Sequence, residues 1–134
     1  ALMHKLFPIF CVGETLQERE SGTTFKVIEK QIKEGLNNLA TSDIRRLVIA
    51  YEPVWAIGTG KTATPAQADE VHAGIRRFLS GAYNYDLAKE SRLIYGGSVT
   101  PDNIKGLMEM PDINGVLVGG ASLEIESFLK IIMH

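Results

Sequence analysis

The sequence predicts an α/β protein of the (β/α)8 barrel type, here a half-barrel of four βα units spanning residues 1–134. Short, almost wholly apolar runs alternate four times with longer segments of helical periodicity. That alternation implies right-handed crossovers onto a parallel sheet. Two Gly-Gly pairs, Gly96-Gly97 and Gly119-Gly120, follow the last two apolar runs, the place where barrels of this type commonly bind phosphate. A doubly wound nucleotide-binding sheet would carry G-x-G-x-x-G in its first turn. Here the first turn reads Gly13-Glu14-Thr15-Leu16.

Phe7 to Gly13, with Pro8 at its start, is the first strand, apolar on both faces and so covered on both. From Thr23 to Ala40, Phe25, Val27, Ile28, Ile32, Leu36 and Leu39 recur at helical spacing, and Thr23 or Thr24 supplies an N-cap. Thr41-Ser42-Asp43 break that helix, and Leu47 to Ala50 is the second strand. A second long helix runs from Pro65 to Leu79. Thr64 is its N-cap, Pro65 its first residue, and Gln67 completes a capping box. Ser80 to Ala88 reads as a loop with a short helical turn, and Arg92 to Tyr95 as the third strand. Thr100-Pro101 repeats the Thr-Pro helix start, for a helix reaching about Met110. Ile113 to Val118 is the fourth strand, and Ser122 caps a final helix bearing Leu123, Ile125, Phe128, Leu129, Ile131 and Ile132.

Composition narrows function by exclusion. At 45% hydrophobic and 22% charged residues with a net charge of -2, the chain offers nothing to hold a nucleic-acid backbone. No apolar run reaches bilayer length, no signal sequence opens the chain, and its one cysteine makes no internal disulfide, so a reducing cytoplasm is expected. His4, His72 and His134 lack partners at ligand spacing, so no metal is expected. Cys11, among apolar neighbours, reads as a buried, inert thiol.

The chemistry concentrates in Ala50 to Thr64, AYEPVWAIGTGKTAT. Glu52 stands at the C-terminal tip of the second strand, where a base belongs in such a barrel. Trp55 and Ile57 are apolar anchors, Gly58 and Gly60 flexible points, and Pro53 a stiff entry, together the pattern of a lid. A strand-end carboxylate can also merely cap a loop, and Gly-Gly after a strand can be ordinary turn chemistry. One pair would be weak; two pairs with the lid are strong.

This stretch resembles the sixth strand and mobile loop of the triosephosphate isomerase family. Cys11-Val12-Gly13-Glu14, Tyr95-Gly96-Gly97-Ser98 and Val118-Gly119-Gly120-Ala121-Ser122 agree with the family in the same order. The resemblance implies a TIM barrel. It also implies, without a cofactor, interconversion of dihydroxyacetone phosphate and D-glyceraldehyde 3-phosphate, a step of glycolysis and gluconeogenesis. By the same resemblance Glu52 is the proton shuttle, while Gly58, Ser98, Gly119 and Gly120 hold the substrate phosphate. A carboxylate that lid closure strips of water can act as a base near neutral pH. Glu14 and Arg19, in GETLQER, resemble the family's fifth loop and read as surface or lid-supporting groups.

The match covers all 134 residues but only the second half of such an enzyme. The strand-one asparagine and lysine and the strand-four histidine, which in the family bind substrate and polarise its carbonyl, have no counterpart. The isolated chain is therefore expected to be inactive or nearly so. Two unpaired edges and an inner face of Phe10, Val12, Ile49, Ile94 and Val118 call for a second copy of the chain or the missing N-terminal half. The alternative is a catalytically incomplete half-barrel that binds phosphate or assembles with its own copy. A different phosphate-binding barrel enzyme fits the intact Tyr51-Glu52-Pro53-Val54-Trp55 less well.

Overall fold

Four strands form one parallel sheet in the order in which they occur along the chain. In the computed structural model, which describes residues 1–57 and 61–134, these are β1 (Ile9–Val12), β2 (Val48–Tyr51), β3 (Arg92–Tyr95) and β4 (Gly115–Val116). Cys11, Ala50, Ile94 and Gly115 stand opposite one another across all four. Each crossover steps to the next position in the same direction, as in a barrel. A doubly wound sheet reverses its order at a switch point, and this one does not.

The crossovers carry α1 (Leu16–Glu20), α2 (Thr24–Gly35) and α3 (Thr41–Ile44) before β2, α4 (Pro65–Ala82) and α5 (Tyr85–Glu90) before β3, and α6 (Ile104–Met108) before β4. Helix α7 (Ile125–Ile132) follows. Among the described residues the large apolar side chains that the strands bury lie on one side of the sheet. Val12, Ile49, Tyr51, Leu93 and Tyr95 are buried against Ile28 and Ile32 of α2, Val71, Ile75 and Leu79 of α4, and Leu107 of α6. Alternation sends Ile9, Cys11, Ala50 and Ile94 to the other side. There Ile9 is 47% exposed and Cys11 is exposed as well.

This corrects the expected inner face. Phe10, Val12, Ile49 and Val118 pack against the helices, and of the residues expected on the open face only Ile94 is there. A strand apolar on both faces carries no alternation to say which face the helices will cover.

Local capping explains where elements start. At α4 the capping box forms as expected: Gln67 N donates to Thr64 Oγ1 at 3.1 Å and Thr64 N to Gln67 Oε1 at 3.0 Å. The similar Thr100-Pro101 does not open a helix. Three residues on stands Asn103, whose Oδ1 accepts from Thr100 N (2.8 Å) and whose Nδ2 donates to Ser98 O (2.9 Å), holding a turn until α6 begins at Ile104. Thr23 precedes α2, yet its hydroxyl donates to Glu18 O rather than capping. α2 stops at Gly35, short of Ala40, and Thr41–Ile44 is a helical turn rather than a break. Ser122 sits inside a 3-10 turn, Gly120–Leu123, its hydroxyl donating to Gly119 O (2.7 Å), and the final helix starts only after Glu124. Among the described residues no helix is long and apolar enough to cross a membrane.

Candidate active site

Strand β2 ends with Tyr51 turned into the core and Glu52 turned to the open side. Main-chain bonds extend the sheet past the last paired residues: Glu52 N donates to Val12 O (2.7 Å) and Gly96 N to Tyr51 O (2.8 Å). The base of the Glu52 side chain is thus fixed between the ends of β1 and β3. Its carboxylate lies beside Cys11, whose thiol donates to Oε1 at 3.3 Å. On the other side is Gly96, where an added Cβ would come within 2.6 Å of Glu52 Cγ. Glycine at 96 makes room for the carboxylate. The next glycine has a different cause, since a Cβ at Gly97 would meet the Tyr95 hydroxyl at 2.2 Å.

Beyond Glu52 opens a cleft of about 460 Å³, lined among others by Gly97, Ser98, Gly119 and Gly120. A Cβ on Gly119 or Gly120 would meet no atom of the described residues within 4 Å, so packing against them does not demand glycine there. Of the residues marked in the sequence, Glu52, Ser98, Gly119 and Gly120 line this one cleft at the C-terminal ends of the strands, where (β/α)8 enzymes carry their sites. Gly58 lies outside the described residues. Among the described residues no cluster of His, Cys, Asp and Glu could hold a metal.

The segment leaving Glu52 is rooted on a buried carboxylate. Glu14, read from the sequence as a surface or lid-supporting group, is completely buried, so the surface alternative falls. Its Oε1 accepts from the Tyr51 hydroxyl (3.0 Å), from Trp55 Nε1 (3.0 Å) and from Arg19 (3.4 Å), and Arg19 also stacks 5.4 Å over the Trp55 ring. Val54 N donates to Glu14 O. Glu14 and Arg19 thus support the entry to the expected lid, from below it. A buried carboxylate is tolerable because a cation and two neutral donors converge on it. Burial first, and the Glu14 charge second, push the Tyr51 phenol far above its ordinary value.

Cys11 is likewise not buried as expected, because it belongs to the open face. Its chemistry is nonetheless quiet. Desolvation, followed by the hydrogen bond and charge of Glu52, pushes the thiol up to about 11.

The model of the triosephosphate isomerase family matches residues 1–134. The chain belongs to that family. Over all 134 residues it is 54% identical to the triosephosphate isomerase of Citrifermentans bemidjiense and 56% identical to that of Endomicrobium trichonymphae. With that of Caldanaerobacter subterraneus subsp. tengcongensis it shares 54%. The chain spans about half the length of the curated relatives it matches, 53%, 53% and 54% of these three.

Family membership and the parallel four-stranded sheet agree with half of a TIM barrel. Cys11 and Glu14 stood in a recognised motif, but nothing in it showed Glu14 as a buried hub or Cys11 as the neighbour of Glu52, and Gln31, bonded to the Gly13 main chain, stood in no motif. The last had one available sign. It is a polar residue between Ile28 and Ile32 on the apolar stripe of α2, at the i+3 position where a core residue is expected.

Proposed function

We propose that the chain is the C-terminal half of a cytoplasmic triosephosphate isomerase that interconverts dihydroxyacetone phosphate and D-glyceraldehyde 3-phosphate without a cofactor. What carries this reading is the convergence of Glu52 with Ser98, Gly119 and Gly120 on one cleft. Glu52 takes a proton from the hydroxyl-bearing carbon beside the carbonyl and returns it to the former carbonyl carbon, through an enediolate, while the hydroxyl proton passes from one oxygen to the other. The substrate phosphate rests against Ser98, Gly119 and Gly120, with Gly58 contributing from the loop. The first N–H groups of a helical turn find no partner within it, and the turn Gly120–Leu123 can offer them to an anion. The loop leaving Trp55 keeps water from the enediolate, which would otherwise eliminate phosphate. The carbonyl-polarising groups come from the other half of the barrel, which also covers the open face of the sheet.

In a coupled isomerase assay on this chain mixed with a separately made first half, Glu52→Gln is expected to lower kcat by about 10²–10⁴-fold, the range for a positioned general base. Unchanged turnover would refute the role of Glu52.

A second reading is favoured by the exposed Ile9 and Cys11 on the open face. By itself the chain is a half-barrel that turns nothing over and pairs with its own copy. Light scattering across a concentration series tests this: a monomer at all concentrations excludes self-pairing.

A further inference from the structure

Gly13, the residue that follows β1, lies flat against the residue that carries the base. A Cβ on Gly13 would stand 1.8 Å from the carbonyl oxygen of Glu52 and 2.5 Å from its carbonyl carbon. The two backbones touch because there is no side chain between them. On either side of the contact they are bonded to each other, Glu52 N to Val12 O and Val54 N to Glu14 O. Gly13 is in turn held from behind by a single side chain. Its N–H donates to Gln31 Oε1 and its C=O accepts from Gln31 Nε2, both at 2.9 Å. Gln31 stands on α2 between Ile28 and Ile32, which are 2% and 0% exposed, so the amide is anchored in the core.

We propose that Gln31 is a positioning residue for Glu52, fixing through Gly13 the peptide from which the base projects. This rests on the proposed role of Glu52. The primary amide of Gln31 meets both demands from one planar group, an acceptor for the Gly13 N–H and a donor for its carbonyl. A carboxylate supplies only acceptors, and an ammonium only donors. Without the clamp both main-chain groups turn to water and the end of β1 loosens against β2. Proton transfer between two adjacent carbons by one carboxylate tolerates little displacement: a misplacement of 1 Å can cost about 10²-fold in rate. The cleft residues Ser98, Gly119 and Gly120 follow β3 and β4 and take no part in the Gln31–Gly13 bonds. Substrate binding is therefore expected to survive its loss.

The test is steady-state kinetics on the enzyme assembled from this chain and the remaining half of the barrel, with Gln31→Leu, Gln31→Glu and Glu52→Gln in parallel. Gln31→Leu is expected to lower kcat by tenfold or more while KM stays within twofold. Gln31→Glu keeps the size and the acceptor but loses the donor, and is expected to fall between. A Gln31→Leu enzyme with kcat within twofold of the parent overturns the proposal, as does a rise in KM with kcat unchanged. Should Gln31→Leu fail to assemble, Gln31→Glu decides: a kcat reduced at least threefold at constant KM supports the clamp, and full kcat overturns it. If Glu52→Gln is inactive while both Gln31 variants are fully active, the clamp alone is refuted. If Glu52→Gln is fully active, the base assignment falls, and the clamp with it.

Discussion

Gly96→Ala places a methyl group where the Glu52 side chain now stands. The new Cβ would lie 2.6 Å from Glu52 Cγ and 3.1 Å from its Oε1, whereas ordinary contact begins at 3.4 Å. Something must move by about 0.8 Å, the shortfall at Cγ. The Gly96 main chain cannot retreat easily, because its N–H is bonded to Tyr51 O at 2.8 Å and so belongs to the extended sheet. Its φ lies outside the left-handed region, so alanine brings no backbone strain of its own. The carboxylate therefore gives way, toward the open cleft. A shift approaching 1 Å at a base is worth up to about 10²-fold in rate, equivalent to about 2.7 kcal/mol of barrel-assembled transition-state stabilisation. Stability should change far less, because turning a side chain off its preferred rotamer costs about 0.5–1.5 kcal/mol. The expected outcome is a kcat reduced roughly 30- to 100-fold in the coupled assay of the assembled enzyme, with a urea midpoint of the chain nearly unchanged. Parental kcat would refute the view that Gly96 makes room for a working Glu52. A large loss of stability with little loss of kcat would show that the backbone, not the carboxylate, absorbs the clash.

Glu14→Leu removes the acceptor shared by Tyr51, Trp55 and Arg19. It should destabilise the chain by about 3–5 kcal/mol, measured by urea denaturation, since a cation and two donors lose their partner. His72 is completely buried, Nδ1 lies 2.7 Å from Ala68 O, and burial lowers its pKa below the ordinary 6.5. Below about pH 6.5 the unfolded chain takes up a proton that the folded chain refuses, so stability falls on acidification, by at most about 1.4 kcal/mol per pH unit. Urea midpoints between pH 7.5 and 5 should show this decline, and His72→Gln should flatten it. Cys11, exposed but with its thiol pushed up to about 11, should alkylate at pH 8 on the order of 100-fold more slowly than free cysteine. Glu52→Gln should speed the reaction by removing the neighbouring charge, as read by mass spectrometry of iodoacetamide-treated chain. Arg76 donates to Asp112 Oδ1 at 2.7 Å, to Ala88 O at 2.6 Å and to Asn114 Oδ1 at 3.2 Å, tying α4 to the segment before β4. Arg76→Lys keeps the charge and loses the fork, and should lower stability by about 2 kcal/mol in thermal denaturation.

The sequence by itself determined what depends on a few neighbouring residues. The four strands, their alternation with helices, the capping box at Thr64 and Gln67, and the position of Glu52 at the tip of β2 are all written in short-range periodicity and turn chemistry. The two glycine pairs marked the cleft for the same reason. The tertiary structure alone decided which face of each strand the helices cover, so that Val12 and Ile49 went to the core and Cys11 to the open side. It also decided that Glu14 is a buried hub. Its partners Tyr51 and Trp55 are 37 and 41 residues away, and the Gln31 clamp on Gly13 spans 18. A buried polar group is satisfied by whatever the fold brings against it, and nothing within a helical turn of Glu14 or Gln31 announces those partners. Thr100 makes the same point in reverse. It repeats the letters of the start at Thr64, but Asn103 stands where Gln67 stood, and its shorter amide, bonded to Ser98 O, holds a turn in place of a helix.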